Sequence, residues 1–409
     1  MCTAKWPHPK AGCSDLHVAL TAPSLGDPHL AALIALTLLL SYSPIDQNPR
    51  AAAQGSAYPM NQNQGPGNAA FQDRSRTLAR KEEKDKFQLQ ISGNLFIKQF
   101  LHLLTRLKPA ENITEQYMEK VLHAVFFFGR LNRRQMTPDD FLEPSFSQRL
   151  QQKYPQSFQQ YSTHLPSLTP YSILLQFGNE VAGCRTQNEM ESFLHEFNSA
   201  VQTAMKKQVP NLEPSEFIFR AAVVAYSFYK EPQKEAGFPL FYGASLSCKG
   251  LTEKKIMISI LCLRMWHKAV AFAVYHGQDN QAIVFPDEVK CRAFCYSNGA
   301  FTEKPPCVNC KMMYHVAFQP FEGDNRENVK WPHGNCAENE CLSKLLQGVP
   351  GLQERVVSTD TSVIHNPPQN TYQAIEQEFA NSIEANLTNQ LIMLLQTKNF
   401  PHLLQFFEP

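Results

Sequence analysis

The chain has 409 residues, 43% of them apolar, so a buried core is feasible and there is room for two or three domains. Its 38 Lys and Arg against 37 Asp and Glu give a formal charge of +1, so no overall imbalance marks it for nucleic acid or an anionic membrane, although a local basic groove stays open. The 11 cysteines are odd in number and spread over a long chain. That is unlike the dense framework of a small secreted domain, and it reads as reduced thiols in a cytoplasmic protein.

The first long apolar run, Leu30 to Leu40, is about half of the roughly 20 residues that a spanning helix needs. Asp27 precedes it where a signal peptide would carry basic residues, so no stable membrane span is expected. Ala51 to Ala70 has no charged residue and is rich in Gly, Asn, Gln, Ala and Pro, a composition that buries too little apolar surface to order itself. Residues 1–86 are therefore read as a poorly ordered leader, ending in a mixed charge run from Arg74 to Lys86.

Residues 87–235 read as a mainly helical region. Leu95, Phe96, Phe100, Leu101 and Leu104 recur at helical spacing, as do Val121, Leu122, Val125, Phe126 and Phe128, and again Met190, Phe193, Leu194, Phe197, Val201 and Met205. The Phe126–Phe128 cluster is read as core, and Arg130, Arg133 and Arg134 as a helix end. Phe217 to Tyr229 is apolar enough for a buried helix or a strand. From residue 238 the pattern changes to α/β material. Lys255–Leu263 and Lys268–Tyr275 read as two strands of a hairpin closed by Met265–His267, with further strands at Gln281–Phe285 and Val289–Tyr296. In the tail, Ile375, Phe379, Ile383, Leu387, Leu391 and Leu395 are spaced four apart, forming one apolar helix face that covers its own domain or a partner protein's groove.

Two short motifs carry the chemistry: Pro305-Pro306-Cys307-Val308-Asn309-Cys310 and Gly334-Asn335-Cys336-Ala337-Glu338. Proline suits a first helical position, and Asn335 suits an N-cap for a helix that stops at Gly348 and Pro350. Both motifs thus place cysteines in a first helical turn, where partial positive charge and free N–H groups favour thiolate. Three thiolates from Cys307, Cys310 and Cys336 make three corners of a tetrahedral Zn2+ site, leaving the fourth for water, with Glu338 placed to take that water's proton.

These residues resemble the zinc-dependent cytidine deaminase superfamily. PCVNC is similar to its Pro-Cys-x-x-Cys motif, and GNCAEN to its Cys-Ala-Glu motif. The resemblance implies Cys307, Cys310 and Cys336 as zinc ligands, Glu338 as catalytic proton shuttle, a deaminase-like mixed sheet with flanking helices over 238–350, and attack on an aminopyrimidine or aminopurine in a nucleoside or single-stranded nucleic acid. The order of the two motifs is reversed relative to the superfamily. More broadly, residues 240–348, from Tyr242-Gly243-Ala244-Ser245 through Trp331-Pro332-His333-Gly334, resemble a family of fish proteins induced by virus or interferon. That implies an innate antiviral role without a mechanism, and an interaction protein stabilised by zinc is the alternative to an enzyme.

Other readings of the same residues stay open. Cys291 and Cys295 lie on one side of a strand and can form a structural four-cysteine site with Cys307 and Cys310. His333 or His315 can close the metal, or Cys336 can serve as a nucleophile with a histidine base. Cys248, Cys262 and Cys341 read as small buried hydrophobes. Residues 351–409 complete the chain as a linker and the amphipathic helix.

Overall fold

The computed structural model describes residues 66–231, 237–279, 282–297, 299–320, 329–359, 371–401 and 404–409, with side chains from residue 76 onward. The apolar run Leu30–Leu40 lies outside these residues. All the described residues belong to one compact unit, Ile45–Pro409.

The first part is helical: α1 (Pro66–Leu107), α2 (Glu111–Leu131), α3 (Pro138–Phe141), α4 (Pro144–Lys153), α5 (Pro155–Gln160), α6 (Pro170–Glu180) and α7 (Gln187–Gln208). Proline opens α3 to α6, where its missing N–H costs nothing. Thr186 and Glu189 form a capping box at the start of α7. The expected apolar stripes meet in one core, with Phe96, Phe100, Phe126 and Phe127 fully buried. Phe96 sits edge-on to Phe197 at 5.2 Å and Phe100 to Phe177 at 5.3 Å. Helix α1 runs back into the segment read as leader, because its charge run is tied down: Lys84 to Glu216, Lys86 to Asp140 and Glu82 to Arg133, at 2.8, 2.9 and 2.8 Å. The leader reading is therefore corrected for residues 66–86.

The second part is built on a five-stranded sheet of β2 (Val224–Tyr229), β3 (Phe241–Ala244), β5 (Val289–Ser297), β6 (Ala300–Lys304) and β8 (Ala317–Gln319), in the order β3-β2-β5-β6. The pairings are antiparallel except β5 with β8, which pairs along the first half of the β5 edge that β6 uses in its second half. The sheet is therefore mixed, and the apolar segment before Tyr229 contributes its central strand. A smaller sheet runs β7-β4-β9, from Tyr314–His315, Ile283–Val284 and Val357–Ser358. A two-residue pair, β1 (His164–Leu165) with β10 (Gln405–Phe406), ties the chain end to the helical part.

The expected hairpin is not formed. Its two runs are helices α8 (Leu251–Arg264) and α9 (Lys268–Tyr275). In α8, Ile256 to Cys262 are all buried, and in α9 so are Ala269 to Val274. A segment buried on every side loses the periodicity that separates helix from strand, and β-branched residues then mislead. His267 is the N-cap of α9: its Nδ1 accepts from the Ala269 amide at 3.3 Å, which makes residues 265–267 a helix corner.

Helices α10 (Val308–Met313) and α11 (Ala337–Gly348) carry the two cysteine motifs, and α11 packs across β3 and β2. Gly243 of β3 permits this contact, since a Cβ there would lie 2.4 Å from the Ala337 carbonyl oxygen and 2.5 Å from the Cys341 amide. The tail forms α12 (Tyr372–Glu378), a π turn (Phe379–Ile383) and α13 (Glu384–Gln396) in unbroken succession. All six residues of the four-spaced row are buried, and the helix lies on α8 and α9 of the same chain. Four-residue steps drift about 40° each round an α-helix. The wider π turn at the centre of the row takes up part of that drift.

Replacing Gly243 by Ala forces backbone against backbone. The expected cost is about 1–3 kcal/mol, read as a lower Tm in thermal unfolding. An unchanged Tm would show that α11 does not rest on this position.

Candidate metal centre

Each half of the site begins a helix. Cys307 is the N-cap of α10 in extended conformation, and Lys311 donates its amide to the Cys307 carbonyl at 3.1 Å. Cys310 follows in the first turn and is fully buried. The N-cap of α11 is Cys336, one residue later than the asparagine expected in that place. Asn335 instead belongs to the turn before the helix: its amide bonds the Pro332 carbonyl, and its carbonyl accepts from Leu246. Gly334 makes the turn at φ +87°, a left-handed conformation natural to glycine, with Ile258 2.8 Å from where a Cβ would stand.

Two side chains lock the halves together. Tyr314, which ends α10, donates its hydroxyl to Asn339 Oδ1 at 2.5 Å, while Asn339 Nδ2 donates to the Cys336 carbonyl at 2.7 Å. Asn309, between the two cysteines of α10, donates to the Trp331 carbonyl at 3.1 Å. Neither Tyr314 nor Asn339 was singled out by sequence reasoning; an asparagine three residues past Cys336 was the one available sign.

The three expected sulfurs do come together. Cys307 Sγ lies 3.6 Å from Cys310 Sγ and 3.4 Å from Cys336 Sγ, and all three atoms are within 4.8 Å of one another. Tetrahedral zinc with ~2.3 Å bonds to sulfur spaces its thiolates at about 3.8 Å. The cluster can therefore close on a metal ion with shifts of a few tenths of an ångström. Close contact with the Cys310 and Cys336 thiols pulls the Cys307 thiol down to about 3. The same contacts push Cys310 and Cys336 well above the ordinary thiol range. Three thiols this close resist ionising together, a conflict that a bound cation would relieve.

Glu338 sits beside the cluster and is 4% exposed. Burial, and then the nearby Cys307 charge, push it up to about 7. A carboxyl so placed holds or yields a proton near neutral pH.

The other candidates lie elsewhere. Cys291 pairs with Cys341, Sγ to Sγ 3.8 Å, both fully buried between β5 and α11. Among the described residues the one metal-capable group is Cys307, Cys310 and Cys336, so the alternative site using Cys291 and Cys295 is not assembled. His333 is half-buried beside Gly277, its pKa lowered by burial, and it is not among the gathered ligand atoms; His315 is exposed on β7. The hydrogen-bond partner of Cys336 Sγ is a sulfur, which does not support a cysteine–histidine dyad. Cys248 and Cys262 are buried, with thiol pKa raised by burial, as small hydrophobes are expected to be. Among the described residues no helix is long and apolar enough to cross a membrane.

Comparison of the chain with protein-family models, with curated proteins and with solved structures gave no match.

The purified chain is expected to hold one thiophilic cation. Titration of the metal-free protein with Co2+ should give the intense near-ultraviolet thiolate-to-metal band at one equivalent, and Cys310→Ala should remove it. A wild-type protein without that band would exclude the centre.

Proposed function

We propose that the chain is a zinc-dependent hydrolytic deaminase of a nucleobase. The observation that carries this reading is the convergence of Cys307, Cys310 and Cys336 beside a buried Glu338. Zinc, when bound, is a Lewis acid that activates water for hydrolysis. The protein's own part is narrower. Cys307, Cys310 and Cys336 would hold the ion from two helix starts. The Glu338 carboxylate would take a proton from the water whose oxygen adds to the amino-bearing ring carbon and pass it to the amino nitrogen, so that the C–N bond breaks, ammonia departs and the ring carbonyl forms. Tyr314 and Asn339 keep the two helix starts in register.

The reversed motif order fits this reading, because an ion responds to where sulfurs are and not to which comes first along the chain. The mixed sheet with α11 on one face is compatible with a deaminase-like domain whose connections have been permuted.

One observation favours a second reading, a zinc-stabilised interaction protein without catalysis. Glu338 is 4% exposed and Cys310 is fully buried, so an approaching base meets little open surface. In that reading the innate antiviral role and cytoplasmic setting implied by the interferon-induced resemblance are carried by a surface, and the metal is a staple.

The two readings separate on Glu338. Zinc-loaded protein is expected to release ammonia from cytidine, adenosine or a single-stranded oligonucleotide. Glu338→Gln should slow release by about 10²-fold or more while zinc content holds at one per chain. No ammonia from any of the three substrates with fully loaded protein rules out the enzyme.

A further inference from the structure

The large sheet has a second face. On β2 and β5, Ser227 and Cys291 point to α11, where they meet the Cys341 carbonyl and the Cys341 sulfur. Alternation along a strand turns their neighbours Tyr226, Phe228 and Arg292 to the opposite face, away from α11. There, between the sheet and the ends of α6 and α7, lies a groove of about 720 Å³. Sites for small molecules span about 300–1,000 Å³.

The walls of this groove are open to an incoming molecule. Phe228, Phe238, Phe241 and Arg292 are half-buried, and Arg185 is exposed. The Phe228 and Phe238 rings stack at 5.8 Å and 19°, and Tyr226 lies 6.2 Å from Phe228. Hydrogen bonds fix the base of the groove. The Tyr226 hydroxyl donates to Gln187 Oε1 at 2.7 Å and accepts from Arg292 Nη1 at 3.1 Å, while Arg292 also pairs with Glu303.

Charge decides what such a groove takes. Among its described lining residues two are arginine and none is acidic. Arg292 is committed to Glu303, so Arg185 supplies the open charge. Arg185 bonds Glu189 through its backbone amide, and its guanidinium is in no ion pair or hydrogen bond among the described residues. The carboxylates at the same helix start are engaged elsewhere, Glu189 by the amides of Arg185 and Thr186 and Glu191 by the Gln187 side chain. An open guanidinium presents a planar fork of N–H donors that matches a carboxylate. Ring faces beside it favour a flat apolar body.

We infer that this groove is a ligand site distinct from the metal centre, taking a small planar aromatic anion with its carboxylate on Arg185 and its ring against Phe228, Phe238 and Phe241. The site stands whether or not the metal centre is catalytic.

The test is calorimetric titration of the full chain with 2-naphthoate, with its neutral amide, and with octanoate, an anion that has no ring. 2-Naphthoate should bind about ten-fold or more tightly than either of the others. Arg185→Gln should weaken naphthoate binding about ten-fold and leave the amide unchanged within a few-fold. Phe238→Leu keeps apolar bulk and removes a ring face, and it should weaken both aromatic probes about three-fold or more. Both positions are away from the cysteine cluster, so the Tm and the Co2+ band of each variant should match wild type. Equal binding of naphthoate and its amide by the wild type, no binding of naphthoate, or indifference of naphthoate to Arg185→Gln overturns the proposal. So does a peptide ending in a free phenylalanine carboxylate that binds far more tightly than naphthoate, since the occupant would then be a chain end.

Discussion

The carbonyl of Ala337 and the amide of Cys341 rest on the backbone of β3 at Gly243, and the depth of that seat sets where Cys336 can be. Polar contacts pin the helix at the same depth. Glu340 is buried, yet Oε2 accepts from the Ala244 amide at 3.0 Å and from Ser172 at 2.8 Å, while Oε1 meets Lys344 at 2.6 Å. Ser227 on β2 donates to the Cys341 carbonyl at 2.8 Å. Bonds to a charged group are worth about 1.5–3 kcal/mol each, and a buried carboxylate without them would be costly. Ser172 belongs to α6, so the helical region takes part in holding the metal helix. The site is thus built from both parts of the chain, although its ligands all lie in one.

The cluster is hard to explain as ordinary packing, and the chain supplies its own control. Cys291 and Cys341 form a buried sulfur pair in a dry layer between sheet and helix, each behaving as a small apolar group. Cys307, Cys310 and Cys336 differ in three ways. They are three and not two, two of them cap helices, and a carboxyl lies against them. Repulsion among like charges opposes gathering four acidic groups, and helix N-termini oppose keeping them all neutral. A bound cation would resolve both conflicts at once. It would also add to the Tyr314–Asn339 bond between α10, which abuts β7 of the small sheet, and α11, which lies on the large one.

What the sequence made legible follows from how local each signal is. The four-spaced apolar row of the tail and the strand at Val289–Tyr296 are local signals, and each has the expected structure, whereas Pro306, expected as a first helical residue, precedes the Cys307 cap of α10. The convergence of the two cysteine motifs was legible as chemistry, since thiolates at helix starts have few other uses. Runs such as Lys255–Leu263 carried no such information, because burial on all sides erases the helical period and leaves only β-branched propensity, which tertiary packing overrode. Tyr314, Asn339, Gly243 and Ser172 were invisible for a different reason. Each acts through one long-range contact, and nothing in its neighbours along the chain announces the partner.

Chain order does shape what surrounds the cysteine cluster. In this arrangement α11 is entered through Trp331-Pro332-His333-Gly334-Asn335, and four of the five positions in that turn are constrained. Pro332 and Gly334 fix the backbone path, Asn335 bonds across to Leu246, and Trp331 is held from α10 by Asn309. Trp331 is held through its backbone while its side chain stays 40% exposed. The turn is thus fixed through its backbone, and the two helices are locked by Tyr314 and Asn339, so this chain order sets the path into α11 without loosening the cysteine cluster.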